Sequence, residues 1–220
     1  MTDLAGQGIL QRIRQALQQS EPLGTPPVPP AIDEPVTRLV HMAIGLSELF
    51  DKRAQENHMQ VELVHVEELI EQLVGFLHER KCRRIALPVS PFLTQLKLYE
   101  SLKEAGFDVR RTTELTQDEM HRIDCSITDV HCAVAEVGGL VLRTTPAYPR
   151  ALSLLPPIHV VILKPADFVP DLVDLYEKIG QEEACAETVI ITGPAQTADI
   201  GMTRVFGVNG PGVLRAFVLR

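Results

Sequence analysis

The placement of proline constrains this chain more than any other feature. Of 16 prolines, six fall within the first 35 residues: Pro22, Pro26, Pro27, Pro29, Pro30 and Pro35. The next is Pro88. Proline lacks an amide donor and fixes φ, so residues 22–35 are expected to form neither a helix nor a central strand. They read as a semi-rigid extended linker. Upstream, Ile9, Leu10, Ile13 and Leu17 recur at helical spacing among polar residues, which predicts a short amphipathic helix starting after Gly8. That helix is either a mobile tail or an arm docking on a partner or on a second copy of the chain. The organisation expected is residues 1–35 as helix and linker, and 36–220 as one folded domain.

Composition narrows the function classes. Lys plus Arg is 21 and Asp plus Glu is 29, so the net charge is 21 − 29 = −8. An acidic balance argues against a general nucleic-acid binder, which needs a basic surface. No apolar run is long enough to span a membrane, and the first residues lack the apolar core of a signal peptide. The four cysteines, Cys82, Cys125, Cys132 and Cys185, form no Cys-x-x-Cys pair and no zinc-finger spacing with His. No metal site, iron–sulfur cluster or other cofactor is therefore expected on this chain. The expected setting is the cytoplasm, with thiols free.

Strand and helix patterns alternate after the linker. A helical stripe runs from Val36 to Ala54 and a strand from Gln60 to Val66. A helix opens at Glu67-Glu68, and Ile85–Val89 is a short apolar strand. Ser90-Pro91 has the N-cap and first-turn chemistry of a helix ending at Gly106, and Phe107–Arg111 is the next strand. Two strand–helix–strand units in a row predict a parallel sheet. Beyond Cys125 come short strands around Gly138-Gly139 and a loop from Thr144 to Pro157. A strand is expected at His159–Leu163, a helix at Phe168–Ile179, and strands at Thr188–Thr192, Val205–Val208 and Val213–Leu219. The fold class is α/β: a parallel-rich sheet flanked by helices, with an antiparallel portion.

Four places could carry chemistry. Glu136 lies between apolar β segments and beside Gly138 and Gly139, where a desolvated carboxylate would suit acid–base or nucleophilic work and glycine would admit a ligand to the backbone. Otherwise it is a strand-end acid. Gly193, Thr197 and Asp199 follow a predicted buried strand, the position where open α/β sheets bind ligands, or else form a capped turn. Asn209 and Gly210 are first of all a turn, by default a hairpin connection. Arg150, in a proline-bounded loop, could clamp a carboxylate or phosphate. His159 is a lone histidine in an apolar strand and reads as structural. Asp129 offers little to separate a site from a turn.

The ordered segments Ala135–Leu142, Arg150 with Leu152–Pro156, His159–Val161, Thr192–Ile200 and Gly207–Gly212 resemble the LUD domain, of the lactate-utilization protein C type (LutC/YkgG). The resemblance covers about residues 36–220. It implies a fold similar to the NagB/RpiA/CoA-transferase group. It also implies a non-redox role in a system oxidising L-lactate to pyruvate, whose iron–sulfur clusters sit on partner subunits. On that reading the chain binds a small anionic ligand or a partner subunit near Glu136, Arg150, Thr197 and Asp199. The alternatives are a stand-alone enzyme acting on a sugar phosphate or CoA thioester through Glu136, and a scaffold with a vestigial site. Two positions depart from the family pattern: Val137 stands where Thr is usual, and Asn209 where His is usual.

Overall fold

The computed structural model describes residues 4–19, 45–198 and 204–220. The chain divides into two compact units, Met1–Thr37 and Arg38–Arg220. In the first, α1 (Leu4–Gln19) begins about a turn before the expected start at Gly8, and Ile9, Leu10 and Ile13 are exposed. The proline-rich stretch 22–35 and the first part of the 36–54 stripe lie outside the described residues.

In the second unit, α2 (Leu46–Glu56) precedes β1 (Gln60–Val64), α3 (Leu69–Glu79) and β2 (Arg84–Leu87). The helix expected from Ser90 to Gly106 is two helices, α4 (Pro91–Gln95) and α5 (Leu98–Glu104). Lys97, at φ 54, adopts a left-handed conformation that no helix can continue through. After β3 (Asp108–Arg111) and α6 (Gln117–Met120) come β4 (Cys125–Thr128), β5 (Cys132–Val134) and β6 (Gly139–Arg143). The proline-rich loop contains one helical turn, α7 (Ala151–Leu154). Then follow β7 (Ile158–Leu163), β8 (Phe168–Val169), α8 (Leu172–Gly180), β9 (Thr188–Ile191), β10 (Gln196–Ala198), β11 (Arg204–Phe206) and β12 (Val213–Leu219). The helix predicted from Phe168 starts four residues late because Asp171 caps it, its carboxylate accepting from the Asp174 amide at 2.9 Å.

Six strands form an all-parallel sheet in the order β1-β12-β7-β4-β2-β3. Every residue of β7 is buried, which is why it reads as a continuous apolar run. One sheet face packs on α3, α4 and α5 through Leu69, Leu73, Phe76, Leu77, Leu93 and Leu98. The other meets α2 and a four-stranded sheet, β8-β5-β6-β9. In β5 and the turn after it, Ala133 and Ala135 face the large sheet, whereas Cys132 and Val134 face Leu175 of α8. Period-two alternation thus gives a layered α/β/β/α unit. Cys82, Cys125 and Cys132 are buried and free, and Cys185 is half-buried and free.

The topology also marks a crevice. From β2 the chain crosses to β3 on one side. From the adjacent β4 it leaves for the four-stranded sheet and returns through β7 on the other side. Strand order reverses between β2 and β4, and open α/β sheets bind ligands outside the carboxyl ends at such a point. The expectation that Gly193 follows a parallel strand of this kind is corrected: β9 is the edge of the four-stranded sheet and pairs antiparallel with β6. Asn209-Gly210 is likewise no hairpin turn. It joins β11, which pairs with β10, to β12, which runs parallel between β1 and β7.

Candidate functional site

The crevice between β2 and β4 has a volume of about 210 Å³ and is lined by Val89, Ser90, Asp129, His131, Arg143 and Tyr148 among others. Asp129 is its organising group. Ser90, buried at the N-cap of α4, donates its hydroxyl to Asp129 Oδ2 at 2.6 Å and accepts the Leu93 amide. The Tyr148 hydroxyl donates to Asp129 Oδ1 and lies 2.9 Å from the Asp129 carbonyl oxygen. Burial, followed by the Asp129 charge, pushes the Tyr148 phenol well above its ordinary value, so it remains a donor. Arg143 is committed to Glu182, to the Glu183 carbonyl and to Cys185 Sγ.

A second cleft, of about 280 Å³, opens near the amino ends of β7 and β12. It is formed by α7, the start of β7, β9 with the turn after it, and the loop before β12. Its polar lining is Ser153, His159, Thr192 and Asn209; the rest is glycine and apolar side chains. His159 is wholly buried. Its Nε2 lies 2.8 Å from Thr128 Oγ1, and its Nδ1 has no hydrogen-bond partner among the described residues. Desolvation pushes its pKa down to about 3, so the ring is neutral at physiological pH.

The residues singled out from sequence divide between places. Gly193, Asn209 and Gly210 line the second cleft. Glu136 and Gly138 lie in the turn between β5 and β6 and Gly139 opens β6; all three lie outside the lining of either cleft. Glu136 is half-buried, and its amide donates to the Pro170 carbonyl at 2.9 Å. Gly138 has φ +62, and a Cβ there would sit 2.4 Å from the Ala54 amide nitrogen of α2. A Cβ on Gly193 would sit 2.3 Å from the Asn57 carbonyl oxygen just beyond that helix. Both glycines thus let backbone approach the end of α2. Arg150 is exposed and pairs with Glu187 at 3.0 Å. Thr197 is exposed on β10, in register with Val205. Asp199 lies outside the described residues.

Ser90, Asp129 and Tyr148 were not expected as a group. Ser90 reads as a cap and Asp129 offers little to separate a site from a turn, and only the adjacency of β2 and β4 brings them together. His159 did carry a signal, as the one polar residue in the otherwise apolar run of β7.

With this geometry in place, comparison with known proteins is informative. A model of the LUD domain matches residues 47–219. The chain belongs to the LUD domain family. An uncharacterized protein of Neisseria meningitidis serogroup B is 32% identical over 91 residues, 40% of this chain and 39% of that protein. A lactate utilization protein C of Deinococcus radiodurans is 26% identical over 217 residues, 96% of this LUD chain and 93% of that protein. Among solved structures, a DUF162 family protein from Deinococcus radiodurans superposes with a TM-score of 0.61 at 23% identity, covering 80% of this chain and 96% of that one. That likeness speaks to the fold. Among the described residues, no helix is long and apolar enough to cross a membrane, and no group of three or more His, Cys, Asp or Glu is placed to hold a metal.

Proposed function

We propose that this LUD protein serves in L-lactate utilization as a non-redox component, with the iron–sulfur clusters on partner subunits, and binds a small anionic ligand in the cleft around His159. The observation that carries the reading is convergence. Segments far apart in the chain, at residues 153–159, 192–193 and 209–211, meet at one cleft and include a buried histidine with one unpartnered nitrogen. Mostly apolar walls with a few convergent polar groups are what a small-ligand site needs. Gly193, Asn209 and Gly210 line the site, with Thr192 and Asn209 supplying donors for a carboxylate. Relatives named lactate utilization protein C, matched over most of their length, support the physiological role.

Deletion of the gene from its native host, with growth on L-lactate and affinity purification of the tagged protein, tests this. Impaired growth, restored by the intact gene, and co-purification of iron–sulfur proteins are expected. Unaltered growth together with no iron–sulfur partner would sink the reading.

A further inference from the structure

The crevice between β2 and β4 is built around acceptors. A carboxylate accepts and does not donate, so Ser90 and Tyr148 both give their single hydroxyl protons to Asp129. Ser90, Asp129 and Tyr148 all line the crevice, and their side chains have only lone pairs left for a ligand. No cation balances the Asp129 charge. Among the described residues, no Lys, Arg or His forms an ion pair with it. Lys164, just past the end of the neighbouring β7, pairs with Asp167 at 3.5 Å and lies over the Phe92 ring. Arg143 lines the crevice but is paired with Glu182. His131 also lines it, and desolvation lowers its pKa, so the ring adds no positive charge at neutral pH. A carboxylate without a counter-ion among mostly apolar walls is costly, and a bound cation would relieve that cost.

We infer that this crevice binds the ammonium group of a short alkylamine, with Asp129 as its counter-ion and the methylenes against Val89, Pro91, Val130 and Leu142. An ammonium brings three donors and a full charge to a site of lone pairs. An alcohol of the same length brings one donor and no charge, and a charged hydrogen bond is roughly twice as strong as a neutral one. A carboxylate would meet the like charge of Asp129. The volume of about 210 Å³ is below that of pockets for drug-sized ligands and suits a chain of a few carbons. A free amine and the lysine side chain of another protein carry this same group. The inference concerns the first crevice and is independent of the ligand proposed for the cleft around His159.

The test follows the Tyr148 ring by ¹³C–¹H correlation in the intact protein at neutral pH and constant ionic strength. The chain has three tyrosines, so Tyr99→Phe and Tyr176→Phe assign Tyr148 by elimination without touching the crevice. The probes are n-butylammonium, n-butanol and butyrate. Saturable movement of the Tyr148 resonance is expected with n-butylammonium, which should bind at least about tenfold tighter than n-butanol, and none with butyrate. In Asp129→Asn the amine should lose that advantage over the alcohol. Equal affinity for amine and alcohol in the unaltered protein overturns the inference, because the crevice would then be selecting for apolar contact alone. So does tighter binding of butyrate, which would mean that the N–H groups Arg143 has left govern the site, or no saturable response to any of the three. These results decide the matter even if Asp129→Asn fails to fold. Where the amine binds, Nα-acetyl-lysine amide separates the sources: binding as tight as that of n-butylammonium points to a protein lysine, and exclusion points to a free amine.

Discussion

Burial of His159 makes a quantitative statement about acid stability. Its native pKa is about 3, against 6.5 for the unperturbed group. Because the native value is depressed, the neutral ring is compatible with folding above pH 6.5. As pH falls from 6.5 toward 3, the unfolded chain takes up a proton that the native protein does not, and stability declines; below about pH 3 the loss levels off. Each pH unit in that window costs about 1.4 kcal/mol. At two units below 6.5 the loss reaches about 2.7 kcal/mol, almost all from protonation of the unfolded chain. His159→Gln removes this titration while keeping a polar side chain, able to donate or accept, toward Thr128. Urea unfolding of both proteins at pH 7.5 and 4.5 isolates the contribution, because carboxylates and the other histidines cancel in the difference. The stability gap between variant and parent should move in the variant's favour by about 2.7 kcal/mol, or a midpoint change of about 1.3 M at an m-value of about 2 kcal/mol/M. Parallel pH dependences would refute the reasoning, since His159 would then be charging in the native state.

Three other outcomes follow from the packing. Gly138→Ala should cost about 2–4 kcal/mol in thermal unfolding, because it combines a left-handed backbone with a Cβ 2.4 Å from the Ala54 amide nitrogen. A change of less than about 0.5 kcal/mol would mean that this turn does not pack on α2 as described. Thr128→Val leaves His159 Nε2 without its buried partner and should destabilise by about 1–3 kcal/mol, read by the same unfolding assay. Residues 38–220 expressed alone should keep a cooperative unfolding transition close to that of the whole chain, as measured by calorimetry, because the core clusters lie within that unit.

Much of the scaffold is legible in the sequence, because local chemistry and burial agree there. The apolar run of β7, interrupted only by His159, the 3.6-residue stripe of α3 and the Ser90-Pro91 start of α4 each follow from one physical rule. Legibility fails where two requirements compete. The stretch after Ser90 keeps helical spacing through Leu96 and Leu98, yet Lys97 turns left-handed and splits it. Asn209-Gly210 has hairpin chemistry, but the flanking strands join different sheets.

The site divides along the same line. Which residue types are present, and the LUD-like order of the glycine and proline segments, belong to the sequence alone, and with them the α/β class and the family. Which polar groups face one another depends on strand order. Placing β4 between β2 and β7 puts Asp129 beside Ser90, and Thr128 against His159. Burial then acts on those neighbours: it keeps the histidine neutral and the phenol protonated, and makes the direction of each hydrogen bond count. A histidine that reads as structural in one dimension lines a cleft in three, because strand order sets it against Thr128 and burial keeps it neutral.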